Sequence, residues 1–129
     1  MRPPVAGFLL TAYCGLIFFL SSQSRLPMPM LFSAEDKLIH AAAYALMGLL
    51  AWMTFSREQR PLMMVCIVSV LFCSLYGLSD EWHQSFVPGR DASLGDWLAD
   101  TLGAVLAVSG LFNLAQQRLS APCRNPDQR

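Results

Sequence analysis

Charged residues are missing from four long stretches, and that spacing limits the fold more than any motif does. No Asp, Glu, Lys or Arg occurs in the 22 positions between Arg2 and Arg25, the 19 between Lys37 and Arg57, or the 19 between Arg60 and Asp80. A fourth run extends from Thr101 to Gln117. A helix rises about 1.5 Å per residue and bilayer hydrocarbon is roughly 30 Å thick, so about 20 apolar residues cross it. Three runs meet that length, and the fourth meets it if its helix begins near Ser93 with Asp96 and Asp100 at its polar end. None shows the period-two alternation of barrel strands, and backbone groups in lipid must find partners within their own segment. The expected fold is all-α, an integral membrane bundle of four transmembrane helices. The spans fall at about 5–22, 38–56, 61–79 and 94–116 within one domain over residues 1–118. Residues 119–129, with Pro122 and Pro126, are expected to form a disordered cytoplasmic tail.

Composition supports the same reading. Only 14% of residues are charged and 54% are apolar, where a soluble domain carries about 25% charged residues. A small globule has too much surface to cover with so few polar groups. Nine basic residues balance nine acidic ones, with no polybasic tract for a nucleic-acid partner. The lipid bilayer is the partner this composition implies. The first run also has some features of a cleaved signal peptide, but its apolar core is long for one and no small-x-small site follows. Cys14, Cys66 and Cys73 sit inside apolar runs and Cys123 in the tail, with no CxxC pair. That pattern reads as soft packing residues, not as a disulfide or zinc framework.

Orientation follows from counting cations. Four spans leave both termini on one side, with Arg2, Arg57, Arg60, Arg118, Arg124 and Arg129; the other side holds Arg25, Lys37 and Arg90. The positive-inside rule places both termini in the cytoplasm and turns segments 21–36 and 80–92 outward. Seven of the nine acids (Glu35, Asp36, Asp80, Glu81, Asp91, Asp96 and Asp100) and both histidines lie in those segments or in the adjoining helix ends.

On a helical wheel, Asp36, His40 and Tyr44 share one stripe, with Lys37 at its border. Tyr76, Asp80, His83 and Gln84 share a side of the third helix, and Asp96 and Asp100 are i,i+4 neighbours on the fourth. Facing lipid, these stripes are expensive; facing one another, they form one polar pocket at the outer face. The series Ala99-xxx-Gly103-xxx-Ala107 gives a close-packing surface on the same side. Bland readings compete for several of these residues. Ser93 to Asp96 fits a capping box, Pro88-Gly89 a turn with Pro second and Gly third, and Arg90 a neutraliser of a nearby acid. His40 also suits a core histidine bonded to a carbonyl. Asp100, a turn inside its helix, is the hardest to explain as a solvated charge.

The order Asp36-Lys37-xx-His40-xxx-Tyr44, then Asp80-Glu81-x-His83-Gln84-xxx-Pro88-x-Arg90-xx-Ser93-xx-Asp96-xxx-Asp100-xx-Gly103, resembles the VanZ-like family of bacterial membrane proteins. The resemblance spans residues 36 to 110, and DEWHQSFVPGR is its most specific block. It implies a multi-pass protein of the bacterial cytoplasmic (inner) membrane with a cell-envelope theme. The founding member is associated with low-level resistance to teicoplanin, a glycopeptide acting on cell-wall precursors.

Two functions stay open at this level, and whether the chain is an enzyme stays open with them. In the first, the pocket processes a lipid-linked or phosphate-bearing substrate. His40 and His83 act as acid and base, oriented by Asp36 and Asp80. Arg90 grips an anion, with Gln84, Tyr44, Lys37 and Ser93 completing the binding set. Asp80, Asp96 and Asp100 are the candidate ligands for a divalent cation, the one cofactor this pattern suggests. In the second, the same pocket binds a lipid head group, a cell-wall precursor or a partner without chemistry.

Overall fold

The computed structural model describes residues 3–24, 35–57, 59–90 and 92–120. These contain four α-helices and no strand: α1 (Pro3–Ser21), α2 (Glu35–Phe55), α3 (Leu62–Gln84) and α4 (Leu94–Ser120). All four are long and apolar enough to cross a membrane. Arg2, Arg25, Asp91, Cys123, Arg124, Arg129 and most of the expected tail lie outside the described residues, while Leu119 and Ser120 continue α4. α3 runs five residues past its apolar run, through Asp80–Gln84, so part of the segment expected between spans is helical.

The exterior is apolar and the polar groups are inside. Phe8 is 72% exposed and Leu106 65% exposed, whereas Asp100 is fully buried. Such a surface suits acyl chains and would be poorly solvated by water. Inside, one cluster joins Tyr44, Met47, Ala51, Cys73 and Ala104 to Leu10 of α1, and a second gathers Trp52, Val65 and Val108. Cys14, Cys66 and Cys73 are free thiols within or beside this packing.

The most extensive helix pairing is α2 on α4. Lipid tails are as apolar as Leu, so helices associate there through close packing and hydrogen bonds. Glycines make the approach: a Cβ on Gly103 would run into the Ala41 carbonyl, and one on Gly48 would sit 3.2 Å from the Ala104 carbonyl. The buried line along α4 runs Asp96, Asp100, Gly103 and Ala104, Val108, with Ala99 and Ala107 only half-buried beside it. Side-chain bonds tie on the other helices. The Tyr13 hydroxyl donates to the Ala43 carbonyl at 3.1 Å and the Tyr76 hydroxyl to that of Cys14 at 2.6 Å. The Trp97 indole donates to the Ser74 carbonyl at 3.0 Å.

Helices successive in sequence run in opposite directions, which leaves α2 and α4 parallel in their contact. The last turns of α1 and α3 therefore meet the first turns of α2 and α4 at one end, where Lys37 reaches Asp96 and His83 reaches Ser22. Between α3 and α4, Val87-Pro88-Gly89-Arg90 closes a β-turn with the Arg90 N–H donating to the Val87 carbonyl at 3.1 Å. Gly89 takes φ +83°, the left-handed value that the third position of this turn demands.

Gly103→Ala forces the α2 and α4 backbones apart, and a loss of roughly 1–3 kcal/mol is expected for such overpacking. Gly110→Ala, which meets nothing within 4 Å, should be neutral or slightly stabilising. Thermal unfolding of the two variants in the same detergent measures the contrast.

Candidate functional site

The site grows out of the α2–α4 contact. Once Gly103 admits the Ala41 backbone, residues one turn nearer the polar end face each other across the seam. His40 Nδ1 and Asp100 Oδ1 then lie 2.9 Å apart, and Lys37 Nζ lies 3.2 Å from Asp96 Oδ1. The acid that orients His40 is therefore Asp100, on another helix. Asp36, the intrahelical orienter that sequence spacing suggests, stays within reach of His40 and Asp96 in one cluster.

α3 contributes two adjacent buried acids. Asp80 Oδ2 accepts from the Gln84 amide at 3.0 Å. Glu81 Oε2 accepts the Ser93 backbone N–H at 2.7 Å. The second bond changes how α4 begins. The Ser93 hydroxyl accepts the Gly95 N–H at 3.1 Å, as an N-cap does. In a capping box the acid three residues on would return to the Ser93 N–H. Glu81 of α3 fills that role instead, and Asp96 is left to pair with Lys37.

Among the described residues, four buried side-chain atoms have no hydrogen-bond partner: Tyr44 OH, Asp80 Oδ1, Glu81 Oε1 and Asp100 Oδ2. Unmade bonds of this kind cost about 1–3 kcal/mol each, so they seldom lack a reason. Tyr44 and Asp80 border a cavity of about 110 Å³ whose polar lining also includes Ser21, His40, Gln84 and Arg90, with Ile17, Leu20, Ile39 and Ala43 completing the wall.

The other expected residues are elsewhere. His83 stacks on Phe18 of α1 with ring centroids 4.6 Å apart, and its Nε2 lies 3.0 Å from the Ser22 hydroxyl. It lines a neighbouring cavity of about 420 Å³ with Tyr76, Trp82 and Phe86. Asp80 borders both cavities, but its bonded partner is Gln84, so it does not orient His83 as the spacing suggests. Asp96 lines neither cavity.

Arg90 borders the smaller cavity while serving α1. Its Nε donates to the Gln23 carbonyl and its Nη2 to the Leu20 carbonyl, both at 3.0 Å. A cation on the last carbonyls of a helix meets both their unmade bonds and the negative end of the dipole. The Gly89 turn directs the chain back toward this contact, since a Cβ there would stand 3.0 Å from the Ser24 carbonyl.

Glu81 is the site residue that the sequence reading passed over. A signal for it existed: Ser69, Cys73, Gly77 and Glu81 are spaced by four along the buried side of α3. An acid at the end of a small-residue stripe points into the packed interior, not at lipid.

A small all-α membrane protein with ionisable groups buried between its helices is the class these features define. Residues 7–116 match the model of the VanZ/LLP1 family, and the chain belongs to that family. No curated protein and no solved structure matches it.

Arg90→Ala removes two donors from the end of α1. Amide hydrogen exchange over residues 18–24 should speed up by the equivalent of about 1 kcal/mol, with α4 unaffected. Arg90→Lys should restore only part of the protection, because an ammonium lacks the guanidinium fork.

Proposed function

We propose that this protein lies in the bacterial cytoplasmic membrane with both termini in the cytoplasm, and handles a lipid-linked or phosphate-bearing cell-envelope substrate in a pocket at the outer face. The observation that carries the reading is the His40–Asp100 hydrogen bond of 2.9 Å at the edge of a cavity that Asp80, Tyr44 and Arg90 also line. An imidazole held by a buried carboxylate is a competent proton carrier, and Asp100 sets both its tautomer and its orientation. Arg90 and Gln84 supply donors for the anionic part of the substrate. Lys37, half exposed on the same turn of α2, adds charge at the rim. The family membership supports the membrane location and the envelope theme. Any link to glycopeptide resistance runs, in this reading, through the precursors such drugs recognise.

His40 takes the central chemical role. His83, stacked on Phe18 in the neighbouring cavity, serves binding or packing. A second reading, binding without turnover, has one observation in its favour: two of the Arg90 donors already hold α1. That leaves the pocket with weak grip on a bare phosphate.

Purified protein in lipid nanodiscs, offered polyprenyl phosphate and phospholipid substrates, separates the two. The catalytic reading expects His40→Ala to lower kcat/KM by about 10²–10⁴, with His83→Ala changing it less than tenfold. Substrate retention without turnover in the wild type gives the binding reading. Orientation has its own check: a single cysteine at position 90, in a background without the native cysteines, should react with a membrane-impermeant maleimide added outside intact cells. Labelling only after lysis would overturn the topology.

A further inference from the structure

Among the described residues, the acids at the polar end outnumber the lysine and arginine side chains that reach them. Asp36, Asp80, Glu81, Asp96 and Asp100 converge there, while Lys37 pairs with Asp96 and Arg90 holds α1 carbonyls. Buried carboxylates at membrane depth call for a compensating charge.

One atom from each of His40, Glu81 and Asp100 lies within 4.8 Å of the others. Clusters of acids are common without ions, and a second feature separates this one. Glu81 is 6% exposed and Asp100 fully buried, and each holds one carboxylate oxygen with no partner, Oε1 and Oδ2. A neighbouring cluster, Asp36, His40 and Asp96, shares the histidine. There the Lys37 ammonium already sits on Asp96 at 3.2 Å and would repel an added cation. Among the described residues no ammonium is bonded to the inner set.

We propose that His40, Glu81 and Asp100 form a binding site for a first-row divalent metal ion, Zn²⁺ or Mn²⁺. One imidazole and two carboxylates suit these ions better than Ca²⁺ or Mg²⁺, which favour all-oxygen shells. Tetrahedral ligands about 2.1 Å from a metal stand roughly 3.4 Å apart, so atoms within 4.8 Å of one another need move by no more than about 1.4 Å to ligate one ion. Three protein ligands leave a position open, as in catalytic sites. Binding displaces the proton between His40 and Asp100 to solvent, in keeping with the proton release that accompanies metal ligation. Glu81 also borders an open, mostly apolar groove of about 580 Å³ between α3 and α4. A bound metal would take His40 and Asp100 as ligands in place of the proton they share, so the proton-carrier reading applies to the metal-free form; the titration below needs no turnover and tests the metal site by itself.

The test uses the full chain in detergent, stripped with a chelator and titrated with ZnCl₂, MnCl₂ and MgCl₂ by calorimetry, with bound metal counted by mass spectrometry. The expected result is one Zn²⁺ or Mn²⁺ per chain, and visible d–d bands with Co²⁺ in its place. Glu81→Gln should weaken binding at least tenfold; its amide oxygen still accepts the Ser93 N–H, so the helix start survives. His40→Gln should do the same, and Asp36→Asn should leave affinity within threefold. Circular dichroism confirms that each variant is folded. No stoichiometric Zn²⁺ or Mn²⁺ on the wild type, wild-type affinity in folded Glu81→Gln, or loss with Asp36→Asn alone would each overturn the site.

Discussion

A carboxylate with no exposed surface sits between helices whose outer faces are built for lipid, and much of the molecule is arranged to keep it there. Asp100 is tolerated because His40 lies 2.9 Å from one of its oxygens. In a low-dielectric interior an unpaired charge is severely penalised, while a well-placed hydrogen-bonded pair is affordable. The pair in turn requires α2 and α4 to touch at backbone distance. Gly103 against the Ala41 carbonyl and Gly48 against that of Ala104 provide this approach. Glycine in a helix is ordinarily a weak choice, and here the close packing it permits answers that weakness.

Pairing across the seam also explains why the acids do not behave as their sequence neighbours suggest. Asp96 stands where a capping acid belongs, yet Lys37 takes it and Glu81 receives the Ser93 N–H. One buried carboxylate thus ties the end of α3 to the start of α4 and has an oxygen to spare. Arg90 joins the other side, anchoring the turn after α3 to the last carbonyls of α1. The polar end is held by side-chain bonds between helices, and the opposite end by apolar packing around Trp52, Val65 and Val108.

The helices were legible because lipid leaves little freedom: a charge within a span is so costly that uncharged runs mark the spans directly. The Asp36, His40 and Tyr44 stripe and the Pro88-Gly89 turn were legible for local reasons, the 3.6-residue period and the demand for positive φ. Partners were not. Nothing near His40 in sequence says that it chooses Asp100, 60 positions on, over Asp36, because the choice depends on helix register. Arg90 reads as a free anion grip until the end of α1 is placed beside it. His83 and Gln84 are sequence neighbours about 100° apart on the wheel, and one stacks on α1 while the other bonds Asp80.

Asp80 is where those separations become functional. It forms part of the wall between the His40 cavity and the His83 cavity, with one oxygen bonded to Gln84 and the other unpartnered. Two histidines on one cavity would suggest an acid and a base acting on a single bond. Two histidines on either side of a carboxylate suggest a division of labour instead. The His40 side, small and lined by Tyr44 and Arg90, suits a compact polar group, while Phe18, Trp82 and Phe86 give the larger side an aromatic lining. Aromatic rings favour the membrane–water interface, where one end of a ligand is apolar and the other wet.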